Sequence, residues 1–215
     1  MMQTDSGNGR YSAAILLSLS LCFLFFSLFS SCSSKPVQME DPGPPALVTP
    51  AGPEPDSLKP GLMVYYRQGL WRNVNQMPGV TEFVEKGIPG KPILGIDHRF
   101  KNNTVFDSGL NIGVGVQMMG FLYLPAAGEW QFKAQSNDGV EVFIEKVRVV
   151  SDPEGHSDQF STPLGLQAEK PGWYKILLRY FQRKGTATLE LYWKQPGESE
   201  FTIIPDKAYW HVPAS

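Results

Sequence analysis

The chain has 215 residues and a formal net charge of −2, with no lysine- or arginine-rich block, so bulk charge gives no electrostatic footprint for nucleic acid or for anionic lipid headgroups. Its two cysteines, Cys22 and Cys32, fall in or at the end of an N-terminal apolar run, which leaves the remainder with neither a disulfide nor a thiol nucleophile. Thirteen Phe, eight Tyr and five Trp, with 21 Gly and 18 Pro, supply strands and turns rather than helices and point to an all-β fold.

From Ala13 to Phe29 the chain reads AAILLSLSLCFLFFSLF, uncharged, preceded by Arg10 and followed by Ser30, Ser31 and Cys32. This is the profile of an export signal over residues 1–31, and the run is short for a spanning helix, which needs roughly 20 apolar residues. Small residues just before a cysteine are what lipoprotein processing requires, so Cys32 is the expected site of lipidation and the membrane is an expected partner through that anchor. The alternative is an uncleaved signal anchor with Cys32 merely close to the membrane. Similarity to bacterial lipoproteins implies, through the absence of aspartate at Ser33, an outer-membrane destination. Residues 32–60 carry prolines throughout, no apolar periodicity and no aromatic residue, and read as a tether. At about 3.1 Å per residue, such a tether reaches roughly 80 Å.

The folded domain is expected over residues 61–215. Short β-branched and aromatic runs of period two alternate there with Gly, Pro, Asn and Asp clusters. Trp130, Phe132 and Ala134 alternate with polar residues, then Ser136-Asn137-Asp138-Gly139 turns the chain. Val140, Val142 and Ile144 follow, alternating with Glu141, Phe143 and Glu145, so a hairpin is predicted with Glu141 toward water and Phe143 interrupting the polar face. A second hairpin is predicted from Trp173–Phe181 to Thr186–Trp193 across Gln182-Arg183-Lys184-Gly185. Its inward residues are Ile176, Leu178 and Tyr180 on one strand and Ala187, Leu189, Leu191 and Trp193 on the other. Trp130, Phe132, Val142, Ile144, Leu178 and Leu189 should share one core, and Gly69 to Lys86 should hold a turn or short helix. Antiparallel strands packed as a sandwich are the predicted architecture.

Four blocks in order, GLMVYY, GFLYLPAAGEWQFKA, SNDGVEVFI and AEKPGWYKILLRYFQRKGTATLELYWKQPG, resemble the PA14 (protective-antigen) domain over nearly all of Gly61 to Tyr209. That resemblance implies a β-sandwich and a ligand-binding, often carbohydrate-binding, role without catalysis. It also marks the acidic turn, where adhesin-type members place two adjacent aspartates that hold calcium against sugar hydroxyls. In this chain the positions are Asn137 and Asp138, so one formal charge is missing and calcium is an optional rather than a required cofactor. A cis peptide beside an open, oxygen-lined pocket would favour glycan binding. The alternative for the same residues is ordinary turn chemistry, with Asx side chains capping backbone groups and Gly139 at positive φ.

Other constellations carry less. Asp152, Glu154, His156 and Asp158 in SDPEGHSD match no established ligand spacing and read as a solvated loop. His98, His156 and His211 stand in no catalytic motif. Gly113-Val114-Gly115 is followed by a strand, not by the helix that a phosphate-binding turn needs. Trp71, Trp173 and Trp210 could stack on sugars, although core packing is the usual fate of tryptophan. Two functions remain: a glycan-binding or adhesive envelope module, or an assembly protein that binds another envelope protein without sugar or calcium.

Overall fold

The computed structural model describes residues 44–53, 55–101 and 103–213. The expected export signal over residues 1–31, with Cys22, and the expected lipidation site Cys32 lie outside the described residues. In chain order the strands are β1 (Ala46–Val48), β2 (Lys59–Pro60), β3 (Met63–Gln68), β4 (Ile88–Pro89), β5 (Asp97–Lys101), β6 (Val114–Leu124), β7 (Gly128–Asn137) and β8 (Val140–Ile144). They continue with β9 (Val147–Asp152), β10 (Gln159–Phe160), β11 (Leu164–Ala168), β12 (Gly172–Gln182), β13 (Ala187–Lys194), β14 (Thr202–Ile203) and β15 (Tyr209–His211). The expected short helix is α1 (Val80–Lys86), preceded by a 3-10 turn at Val74–Gln76.

The strands form two sheets. One runs β1-β11-β7-β13-β14, with β10 added to β7 and β5 to β13; the other runs β2-β15-β6-β12-β8-β9, with β3 on β6 and β4 on β3. Period-two alternation turns one side of each sheet toward the other, and all six residues predicted to share a core do so: Trp130, Phe132, Val142, Ile144, Leu178 and Leu189 are fully buried in one cluster.

Neither predicted hairpin is a hairpin. β7 and β8 belong to different sheets, and so do β12 and β13, so each short turn carries the chain across the sandwich. Pairing is instead β7 with β13 in one sheet and β8 with β12 in the other, in both cases antiparallel. Inward alternation on both sides of a short turn is satisfied equally by a hairpin and by a corner between facing sheets, so periodicity does not distinguish them.

The folded unit also starts before residue 61. β1 lies parallel to β11, pairing Ala46 with Leu166 and Val48 with Ala168, and Val48 and Leu58 are buried. Between them the chain straps the end of the sandwich, where Gly52 donates its N–H to the Trp173 carbonyl at 2.9 Å. Proline-rich composition hid this strap because one edge ladder and two buried side chains leave no periodic signal.

The outer face of the second sheet is not uniformly wet. Val74, Met77, Phe83 and Phe181 form a satellite core there, beneath the segment that leads into α1. The Arg179 guanidinium donates to the Pro78 carbonyl at 2.6 Å, and the Gln117 amide donates to the Val80 carbonyl at 3.2 Å. Glu141, expected on a solvent face, is 3% exposed and pairs with Arg148 at 3.1 Å.

Candidate functional site: the Asn137-Asp138 corner

Asn137 ends β7 and Asp138 begins the crossing to β8, joined by a cis peptide bond. The second crossing runs beside it, since Asn137 stands opposite Thr188 and Val140 opposite Tyr180. Backbone bonds link the two corners directly: the Asp138 N–H donates to the Phe181 carbonyl at 3.2 Å, and the Phe181 N–H donates to the Gly139 carbonyl at 3.0 Å. The buried Tyr180 hydroxyl donates to the Asn137 carbonyl at 2.5 Å.

Both predicted site side chains are buried and engaged. Asn137 is 6% exposed and its amide donates to the Asp158 carboxylate at 2.9 Å and to the Thr186 hydroxyl at 3.0 Å. Asp138 is 9% exposed and accepts the Arg183 backbone N–H at 2.7 Å. Burial pushes the Asp138 carboxyl above the usual aspartate range, opposed by the Arg183 N–H and by His156. Gly139 is not among the positive-φ glycines, so the conformational reason expected for it does not hold. It is needed for close approach instead: a Cβ there would lie 2.5 Å from the Pro153 carbonyl oxygen and 2.7 Å from Phe181.

The loop Asp152–Asp158, expected to be merely solvated, packs over this corner. Asp158 accepts from Thr188 as well as from Asn137, and the Gly155 N–H donates to the Arg72 carbonyl at 2.9 Å. His156 approaches Asp152 at 3.1 Å with both side chains mostly buried. Among the described residues no group of three or more His, Cys, Asp and Glu is placed to hold a metal ion. Calcium asks for several outward carboxylate and carbonyl oxygens. Here the Asn137 amide donates to the Asp158 carboxylate, and the Asp138 carboxylate accepts the Arg183 backbone N–H.

The remaining candidates disperse. His98, on β5, and His211, on β15, are tied to the carbonyls of Gly95 and Gly61, and His156 to that of Ser157. Trp173 and Trp210 meet edge-to-face at 5.7 Å on the outer face of the second sheet, with Tyr123 beside Trp173 at 4.8 Å. Trp71 packs against the satellite core.

Two facing, mainly antiparallel sheets joined by paired corners, one of them Asn-Asp-Gly, define a β-sandwich module built around a buried polar turn. Residues 88–207, more than half of the chain, match the PA14 domain, and the chain belongs to that family. The fold is similar to the PA14 domain of the MpAFP antifreeze protein, with a TM-score of 0.58 at 18% identity over 76% of this chain and 98% of that one. It is similar to the Epithelial Adhesin 9 A domain from Candida glabrata, solved in complex with Galβ1-4GlcNAc, with a TM-score of 0.59 at 12% identity over 78% of this chain and 96% of that one. A third likeness, at a TM-score of 0.58 and 17% identity over 73% of this chain, is to an anti-sigma factor domain-containing protein of which 49% is covered, about half its length. At these identities the likeness is one of fold. No curated protein matches the sequence.

Proposed function

We propose that this chain is an exported, lipid-anchored envelope module that binds a glycan or adhesive ligand through its PA14 sandwich and carries out no reaction. Membership of the PA14 family is the observation that supports it. The fold-level likeness to an adhesin domain solved with a disaccharide is consistent with it. Cys32 is the acylated residue in this reading, and the outer membrane is where the anchor resides.

Glycan-array binding of the full chain, with calcium and with chelator, tests the ligand class. Selective binding to a sugar family supports the proposal. No binding in either condition, together with stoichiometric co-purification of an envelope protein, replaces it with the assembly reading. The inward, engaged side chains of Asn137 and Asp138 are the specific observation favouring that second reading. Labelled fatty acid entering the wild type but not Cys32→Ser tests the anchor, and label in both or in neither removes it.

A further inference from the structure

The outer face of the second sheet carries an apolar row that nothing covers among the described residues. Sheet register places Met63 of β3 opposite Met119 of β6, Met119 opposite Leu177 of β12, and Leu177 opposite Phe143 of β8. At about 4.8 Å between neighbouring strands this row is roughly 14 Å long. Two residues along the strands on one side, Gln117, Arg179 and Glu141 form a polar row capped by residues 77–80. Beyond it on the other side stand Phe121 and then the Tyr123–Trp173–Trp210 cluster. What remains between is a groove of about 670 Å³, floored by the row and flanked by Phe121 and Val212. That volume falls in the range of small-ligand sites, which span about 300–1,000 Å³ and are mostly apolar with a few placed polar groups. The four floor residues are half-buried, and contiguous apolar surface left open to solvent in this way marks interaction sites and ligand grooves.

The two lysines of the groove stand together at one end, whereas His211, tied to the Gly61 carbonyl, lines it from β15. Lys175 lies two residues from Leu177 on β12, and Lys146 lies in the turn that follows Phe143 on β8. Both lysines are exposed, neither belongs to any ion pair among the described residues, and no carboxylate lines the groove.

Lys146 is also held in an unfavourable backbone. The two-residue turn between β8 and β9 puts Glu145 at φ 46° and Lys146 at φ 73°. Turns of this geometry favour Asn-Gly, because a Cβ is disfavoured at positive φ. Glu145 has a structural reason to be there, since its carboxylate accepts the backbone N–H of Lys175 at 2.6 Å and of Ala51 at 3.4 Å. Lys146 has none in the fold, yet it sets a cation at the groove's rim. Strain retained at a residue that the fold does not need points to a ligand.

We infer that this groove is a binding site for a single-chain anionic amphiphile, a fatty acid or its like, with the alkyl chain along Met63–Met119–Leu177–Phe143 and the acid group at Lys146 and Lys175. The floor favours an alkyl chain over an extended peptide or a sugar. Its own backbone N–H and C=O groups are consumed in the ladders, so an occupant that brings unpaired polar groups would leave them unsatisfied, whereas a hydrocarbon brings none. The site shares no residue with the Asn137-Asp138 corner, so it stands or falls independently of the glycan reading.

The test is calorimetric titration of the full chain with sodium dodecanoate below its aggregation concentration, beside dodecyltrimethylammonium as the same chain with a cationic head. Dodecanoate should bind and the cationic analogue should bind more weakly. Lys146→Gly and Lys175→Gln should each weaken dodecanoate about two- to fivefold, the scale of an exposed charge pair. Leu177→Glu should weaken it about tenfold or more by placing a charge on the apolar floor. Because Leu177→Glu risks the fold, Lys146→Gly decides: it relieves the positive-φ strain, so its melting temperature should rise while its affinity falls. Dodecanoate binding that Lys146→Gly and Leu177→Glu leave unchanged, equal binding of the cationic analogue, or binding to anionic vesicles with none to dodecanoate each overturn the proposal. So does self-association that Leu177→Glu abolishes in a protein that takes up no dodecanoate.

Discussion

The carboxylate of Asp138 accepts the backbone N–H of Arg183 at 2.7 Å, and that bond fastens one sheet-crossing corner to the other. Arg183 leaves β12 where Asp138 leaves β7, so the single aspartate that the PA14 resemblance marks as an ion ligand here serves the junction of the two sheets. Replacing it with Ala leaves a partly buried backbone donor without its partner. Asp138→Ala should cost about 1–3 kcal/mol in urea denaturation. Calcium and chelator should give the same melting temperature for the wild type, and a calcium-dependent rise would show that the corner reopens to take the ion.

Asn137→Asp separates the two readings of the corner from the other side. The Asn137 amide donates to Asp158 and Thr186, and a carboxylate in its place faces the Asp158 carboxylate with no hydrogen to give. The variant should lose about 1–3 kcal/mol in chelator. Calcium that restores the lost stability would show that the paired carboxylates take the ion, and a neutral substitution would contradict the buried pair.

Gly139→Ala should be destabilising although the glycine has an ordinary φ. The added methyl meets the Pro153 and Glu154 carbonyl oxygens and the Phe181 ring, and backbone on two sides leaves little room to yield. Overpacking of this kind costs about 1–3 kcal/mol, and faster hydrogen exchange in the Asp152–Asp158 loop should accompany it.

Phe132→Ala and Leu178→Ala should each cost about 2–5 kcal/mol, as truncations in a fully buried cluster. Glu141→Ala, which a solvent-facing position would tolerate, should cost about 1–3 kcal/mol because it removes the buried partner of Arg148 and a countercharge near Arg179. Thermal or chemical denaturation of the three variants ranks them. A silent Glu141→Ala would mean that its neighbours re-pair at no cost.

Stability at low pH should depend on Asp107. Burial alone would raise its carboxyl, but the Lys91 backbone N–H at 2.8 Å and the Tyr66 hydroxyl at 2.6 Å outweigh it and hold the group below the usual aspartate range. A lowered folded-state pKa gives stability that is present above the unfolded value and is lost as pH falls through the folded one. The wild type should therefore weaken below about pH 4, and Asp107→Asn should flatten that part of the profile. Asp138 has the opposite sign, since its raised pKa makes its contribution decline as pH rises from the unfolded value to the folded one. An unchanged acid limb in Asp107→Asn would assign the loss to other carboxylates.

Facing was legible in the sequence and partnership was not. Every residue that the period-two runs placed inward on β7, β8, β12 and β13 is buried, because a buried face demands apolar residues whichever strand lies alongside, although Tyr174 of β12 joins the same core without having been named. Which strand lies alongside depends on whether a short turn folds back or crosses over, and Ser136-Asn137-Asp138-Gly139 has hairpin composition while making a crossing. The outer face carried its own sign. Phe143 interrupts a polar alternation, and Met119, Phe121 and Tyr123 make β6 apolar on both sides, which a strand with one wet face does not need. The strap at residues 46–52 had no such sign, since its contribution is main-chain pairing that any sequence can make.

The two corners also bear on how quickly the chain finds this arrangement. Because β7 does not pair with β8, nor β12 with β13, neither sheet can grow outward from those turns. β12 must wait for β6, joining Tyr174 to Leu122, and β13 must wait for β7, joining Leu189 to Ser136. Such remote closures carry their entropic cost before any ladder forms, which puts refolding on the order of milliseconds to seconds, the range of sandwiches dominated by distant pairings.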